Sequence, residues 1–185
     1  DKDPRQALAW WRKAAEQGIA SSQYNLGLMY QSGEAIEKDL FQAARWLKDA
    51  ADQGLPQAQY NLGLLHANGE GVAKNAPEAI RLFQEAADKG VPMAQYALGL
   101  MYEQGNGVAV DSAEALKWHT SAAAEGVAAA QFSLGVMHDR GVGVDKDPAK
   151  AVEWWTKAAG QGHAAAQDNL GYACYTGRGV KTDLE

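Results

Sequence analysis

The chain has little with which to do chemistry of its own. One cysteine among 185 residues, Cys174, excludes an internal disulfide framework. Only five prolines, in a chain that is 46% apolar, argue against a disordered segment. No apolar run approaches the ~20 residues that a bilayer-crossing helix needs. Positive charge is also short. Lys and Arg total 17 against 23 Asp and Glu, a net charge of -6 that disfavours wrapping nucleic acid or an anionic membrane. The chain begins at Asp1 without a methionine, so neither a leader peptide nor a compartment can be read from it.

What is abundant is repetition. Gly18, Gly54, Gly90, Gly126 and Gly162 stand 36 residues apart. The pairs Leu26-Gly27, Leu62-Gly63, Leu98-Gly99, Leu134-Gly135 and Leu170-Gly171 keep the same step, as do Gln23, Gln59, Gln95, Gln131 and Gln167. Alanine pairs recur likewise from Ala14-Ala15 to Ala158-Ala159. Gly69-Glu70-Gly71, between an apolar stretch and a helical one, has the look of a phosphate loop. It too recurs, as Gly105/Gly107, Gly141/Gly143 and Gly177/Gly179, with Gly33 and Ala35 in the first copy. A phosphate site is not built five times at constant spacing, so the pair is read as punctuation.

Each period predicts two helices. Ala7, Trp10, Trp11, Ala14 and Ala15 fall at i, i+3, i+4, i+7 and i+8, one apolar stripe over Pro4 to Gln17. The second helix is expected from about Ser21 to Ser32, with Gly27 bare in its middle. A mid-helix glycine costs ~1 kcal/mol against alanine, so it should make room for the tryptophan of a neighbouring helix. Asp3-Pro4 and Asp147-Pro148 read as N-caps before a first-turn proline. Asn75 with Glu78 and Asp111 with Glu114 have capping-box spacing, and Asp39 with Gln42 is similar. Gly18 and Gly33, with their equivalents, are expected at helix C-termini. Ile36, Val72, Val108, Val144 and Val180 should plug the longer loop into the core. A single helix pair cannot bury its own stripe, but stacked pairs can.

The pattern "AxxWxxKAAxQGxxxAQYxLGxxYxxGxGVxxD" resembles the Sel-one-like repeats (SLR), an alpha-solenoid branch related to the tetratricopeptide repeats. "KAAEQGIASSQYNLGLMYQSGEAIEKD", Lys13 to Asp39, is a close match. The resemblance implies an all-α fold: a right-handed α/α superhelical solenoid of stacked 36-residue helix-turn-helix repeats, about ten helices in all. Phased as in that family, 1–18 is the second helix of a preceding repeat. Full repeats follow at 19–54, 55–90, 91–126 and 127–162, with a partial one at 163–185, all in one solenoid. Both ends cut through repeats. Apolar surface is therefore expected at each terminus, where copies could meet end to end. Leu184-Glu185 could be native or a cloning remnant.

The candidate chemical groups have ordinary readings. His66 and His138 share a repeat position with Tyr30 and Tyr102, two repeats apart, so no metal site is indicated. His119 takes the slot of Trp11, Leu47, Phe83 and Trp155 and reads as a packed ring. His163 reads as solvated and Cys174 as a buried thiol. The twin aromatics Trp10-Trp11 and Trp154-Trp155 read as core rather than as a membrane belt. Disulfide-rich relatives are linked to lactam binding, which would need a serine with a lysine three residues on. No serine here has one. A cell-wall or lactam-related enzyme is therefore disfavoured, and no catalytic, cofactor-binding or metal residue is assigned.

By analogy with tetratricopeptide arrays, the Gln-Tyr-x-Leu-Gly helices line a concave groove. The residues projected into it are Tyr24, Leu28, Gln31, Tyr60, Asn68, Met93 and Tyr96, then Glu103, Gln104, Phe132, Asp139, Arg140, Tyr172 and Tyr175. The position of Gln31 becomes Ala67, Glu103, Asp139 and Tyr175, a spread that packing does not require. The resemblance implies a bacterial, non-enzymatic scaffold or adaptor that binds a protein or peptide there, in an envelope or secreted setting sooner than the cytoplasm. The alternatives are an immunity or adaptor protein for a secreted toxin, and an architectural spacer of a longer chain. Nucleic acid is disfavoured by the acidic balance of the chain.

Overall fold

The structure is a computed structural model that describes residues 3–180. Among these residues there are ten α-helices and no strand. In order they are α1 (Pro4–Glu16), α2 (Ala20–Ser32), α3 (Leu40–Asp52), α4 (Pro56–Asn68) and α5 (Ala76–Asp88). Then come α6 (Pro92–Gln104), α7 (Ser112–Ala124), α8 (Ala128–Arg140), α9 (Pro148–Gly160) and α10 (Ala164–Thr176).

Their uniform length follows from their ends. Asp3, Asp39, Asn75, Asp111 and Asp147 cap the odd-numbered helices through backbone N–H groups one turn in, at 3.0–3.2 Å. The capping boxes close on one side only. The carboxylates of Glu78 and Glu114 turn instead to Arg81 and Lys117 along the helix. At the C-terminus of α1, Gly18 N–H donates to Ala15 O and Ile19 N–H to Ala14 O. This paired bond satisfies the last carbonyls and starts α2 without a side-chain cap. The remaining odd-numbered helices end in the same way, as Leu55 N–H on Ala50 O and His163 N–H on Ala158 O illustrate.

The chain forms two compact units, Asp1–Ala94 and Gln95–Glu185. In the first, Ala44, Leu47, Ala50 and Ala51 of α3 pack with Ala58, Leu62 and Leu65 of α4 and Leu82 of α5, and Val72 plugs in from the loop. In the second, α7 and α8 share a core of Ala115, Ala122, Ala123, Ala130, Leu134 and Met137, joined by Val144. Ala151, Trp155, Ala158 and Ala166 continue it into α9 and α10.

The mid-helix glycines have the expected packing reason. A methyl group at Gly27 would lie 2.8 Å from Leu47 Cγ, and one at Gly63 would lie 2.6 Å from Phe83 Cε1. Gly99 faces the His119 ring at 2.5 Å, and Gly135 faces the Trp155 indole more closely still. The knob is thus the residue 20 positions on, and only once is it a tryptophan. Gly71 is different: a side chain there would overlap the Leu40 carbonyl at the start of α3. Its equivalent in the first period is Ala35, the one non-glycine residue at positive φ among the described residues.

Three expectations fail. Trp10 is 64% exposed rather than core. Lys13 lies over its ring at 4.8 Å, whereas Trp154, with Lys157 over its face at 4.1 Å, is half-buried against the α7–α8 core. Cys174 is exposed rather than buried, because no described helix packs over that side of α10. His163 is half-buried rather than solvated. It caps α10, its Nδ1 accepting from Ala166 N–H at 3.3 Å, and its ring stacks on Phe132 at 4.7 Å.

Candidate protein-binding faces

The recurring glutamine ties helix to helix in α2, α4, α8 and α10, whereas the Oε1 of Gln95 in α6 is buried without a partner. Gln23 Nε2 donates to Ala15 O at 3.3 Å and Gln131 Nε2 to Ala123 O at 3.2 Å, closing a carbonyl at the end of the previous helix. Gln53 and Gln161 then donate to Gln23 Oε1 and Gln131 Oε1 at 2.6 and 2.8 Å. With these helices fixed, their variable positions form the faces on which a partner could dock.

In the first unit, Leu28 and Gln31 line a groove of about 730 Å³ between α1 and α2, together with Trp11, Asn25, Met29 and Glu34. Tyr24 is half-buried against the α3–α4 core, and its hydroxyl accepts from Asn61 Nδ2 at 3.3 Å. Tyr60 lies 5.9 Å from the Phe83 ring, and burial raises its hydroxyl pKa. Asn68 is exposed and donates to Glu70 at 3.3 Å. Met93, at the end of this unit, is 44% exposed.

In the second unit, Tyr96 lies 5.5 Å from His119, and its pKa is likewise raised, chiefly by burial. His119 is fully buried, so desolvation lowers its pKa even though the Glu103 carboxylate faces its Nε2 at 3.2 Å. Gln104 is exposed. Phe132 packs against the α9–α10 core. Asp139, Arg140 and Tyr172 converge on a groove of about 160 Å³, whose floor holds Trp155 and Asn169. Arg178 closes it, with Nη2 at 3.0 Å from Asp139 Oδ1 and at 3.3 Å from Asp139 O. Tyr172 and Tyr175 project from the same helix, 63% and 90% exposed.

The structure therefore separates the fourteen candidates. Tyr24, Tyr60, Tyr96 and Phe132 fill space between helices. Glu103, Gln104, Arg140, Tyr172 and Tyr175 stand open to a partner, as do Asn68 and Met93. Arg178 was missed. Its loop position reads Glu34, Glu70, Asn106, Val142 and Arg178 down the chain, a variation as wide as at Gln31.

Among the described residues no three His, Cys, Asp or Glu side chains converge as metal ligands would. No described helix is long and apolar enough to cross a membrane.

The Sel1 repeat model matches residues 1–19, 20–55, 56–91, 92–127, 128–163 and 164–185. No curated protein matches the chain. Among solved structures, it is similar to c5321, a protective antigen of uropathogenic Escherichia coli with an SLR fold. That match has 40% identity and a TM-score of 0.94 over 98% of this chain, which spans 39% of that protein's length. A Sel1 repeat protein from Oxalobacter formigenes is 38% identical, with a TM-score of 0.85 over 90% of this chain and 68% of that one. Immunity protein PA5088 from Pseudomonas aeruginosa is 26% identical, with a TM-score of 0.55 over 86% of this chain and 58% of its own. With repeat matches from end to end and all-helical repeat relatives at this similarity, the chain belongs to the Sel1 repeat family.

Proposed function

We propose that the chain is a non-enzymatic scaffold that holds a protein or peptide on the variable faces of its even-numbered helices, with the α8–α10 groove as the principal contact. Sel1 repeat proteins are generally non-catalytic and bind other proteins. The observation that carries the reading to this groove is the exposure of Tyr172 and Tyr175 beside Arg140 and the Asp139–Arg178 pair. Aromatic and arginine side chains are the residues that dominate protein interfaces, and here they border a preformed cleft. Two arginines against one carboxylate suit a partner segment that offers an acidic group beside an apolar one.

The test is capture from bacterial lysate with the chain as bait, beside a variant carrying Arg140→Glu, Tyr172→Ala and Tyr175→Ala and matched for helicity by circular dichroism. Tyr96 is left intact because it packs on His119. A protein retained by the parent and lost by the variant supports the groove. A partner that binds both equally refutes it.

The likeness to immunity protein PA5088 favours a narrower reading, in which the partner is a single toxin effector. That version expects a stoichiometric one-to-one complex that survives dilution to nanomolar concentration. Several weak partners would exclude it.

A further inference from the structure

We infer that Asn106 is a site of spontaneous covalent modification. Its side-chain amide closes onto the backbone nitrogen of Gly107 and is converted to aspartate and isoaspartate, and the isoaspartate form loosens the end of α6. The inference needs no partner and rests on the glycine loops that punctuate the repeat. Of the six asparagines, only Asn68 and Asn106 precede a glycine. A glycine has no side chain to shield its nitrogen from the neighbouring amide.

The conversion balances with water alone. The Gly107 nitrogen gives up its proton and bonds to Asn106 Cγ, the Cγ–Nδ2 bond breaks, and Nδ2 leaves as ammonia with that proton. Water then opens the five-membered imide at either of its carbonyls. Opening at Cγ gives aspartate on an unchanged backbone. Opening at the backbone carbonyl gives isoaspartate, in which the chain runs on through Cγ.

The structure separates the two asparagines. Asn68 is the last residue of α4, and the N–H of Gly69 donates to Leu65 O at 2.8 Å. The Asn68 amide itself donates to Glu70 at 3.3 Å. An attacking nitrogen must shed its proton, and a carbonyl that accepts that proton opposes the loss. Both groups at Asn68 must therefore leave a hydrogen bond before they react. Asn106 lies two residues beyond the end of α6. Its N–H donates to Met101 O at 3.0 Å, whereas among the described residues the N–H of Gly107 donates to no backbone carbonyl. Gly107 is exposed.

The same loop place holds Glu34, Glu70, Val142 and Arg178 in the other periods, and none of these has the side-chain amide that the ring closure needs. Aspartate at 106 copies Glu34 and Glu70 and should be tolerated. Isoaspartate puts an extra carbon into the backbone between two left-handed residues, Gly105 at φ 68° and Gly107 at φ 76°. That spacing, with the bond from Asn106 N–H to Met101 O, is what closes the C-terminus of α6.

The full chain is aged at mildly alkaline pH, folded or in urea, and digested with trypsin. Peptides 49–74 and 90–117 then carry Asn68 and Asn106. In the folded chain Asn106 should gain one dalton roughly tenfold faster than Asn68 or more, as two hydrogen bonds to be broken at Asn68 imply. In urea the two should react alike. An isoaspartyl methyltransferase should label the aged parent and leave aged Asn106→Gln unlabelled. The aged parent should also unfold at lower urea than fresh Asn106→Asp. Equal rates at Asn68 and Asn106 in the folded chain overturn the proposal, as does an Asn106 that stays intact there while it reacts in urea. A gap that persists in urea overturns the structural account of the difference. Equal urea midpoints for the aged parent and Asn106→Asp overturn the loosened helix end. Capture of a protein through the α8–α10 groove enters none of these readouts, so the two readings stand or fall separately.

Discussion

Gly135 and Gly171 hold the same place in the repeat, yet replacing each with alanine should move stability in opposite directions. Both sit inside a helix, where alanine is favoured over glycine by about 1 kcal/mol. At Gly171 nothing lies within 4 Å of the new methyl group, so that preference is the whole effect. At Gly135 the methyl would press into the indole of Trp155, itself only 7% exposed. The ring cannot retreat without opening the α8–α9 core, and overpacking of this kind costs about 3 kcal/mol, at the upper end of the usual range. After the helix preference is subtracted, Gly135→Ala should lose about 2 kcal/mol while Gly171→Ala gains about 1 kcal/mol. Urea denaturation followed by far-ultraviolet circular dichroism reads both as midpoint shifts. If the two substitutions shift the midpoint the same way, the socket account of these glycines is wrong.

Other expectations follow from single side chains. Burial holds His119 and His138 below the usual histidine pKa, so the unfolded chain takes up their protons first as pH falls. Their contribution is therefore complete above about pH 6.5 and is lost as pH drops through that value toward the lower folded pKa. His119→Phe, which copies the Phe83 slot, should flatten part of the fall in urea midpoint between pH 7.5 and 5.5, leaving the share due to His138. A parent midpoint that does not change over that window would contradict this. Ala35→Gly should stabilise by about 1 kcal/mol in the same assay by relieving a left-handed alanine. Asp111→Ala removes the acceptor for two backbone N–H groups and should cost about 1 kcal/mol by urea midpoint. Arg81→Ala should cost less than about 1 kcal/mol despite contacts to both Glu78 and Glu85, since all three are exposed enough for solvent to screen them. Equal midpoints for Arg81→Ala and its parent at high salt would agree with that.

The helices were legible because their signals are local. A carboxylate before the first turn, a glycine after the last, and apolar residues at helical spacing put α1 at Pro4–Glu16, against Pro4 to Gln17 expected from the sequence. The glycine sockets were half legible: the need for a bulky neighbour could be read, but its identity depends on which residue 20 positions on points inward. The candidate face was less so. Tyr24, Tyr60 and Tyr96 look like surface aromatics in a repeat pattern, and only the position of the following helix shows that they close gaps. Cys174 misled for a related reason. Its equivalents are covered by chain that follows them, and burial inferred from a repeat average fails wherever the neighbour differs.

The reach of the bonds that stitch helix to helix has a kinetic consequence. Gln53 to Gln23, Asn61 to Tyr24 and Arg178 to Asp139 join residues 30, 37 and 39 apart. Loops that short close quickly, and contacts of low sequence separation go with fast folding. A growing chain can satisfy its first socket, Gly27 on Leu47, once about fifty residues are available, and each further period adds its contacts to a surface already formed. Synthesis and folding can then advance at the same pace.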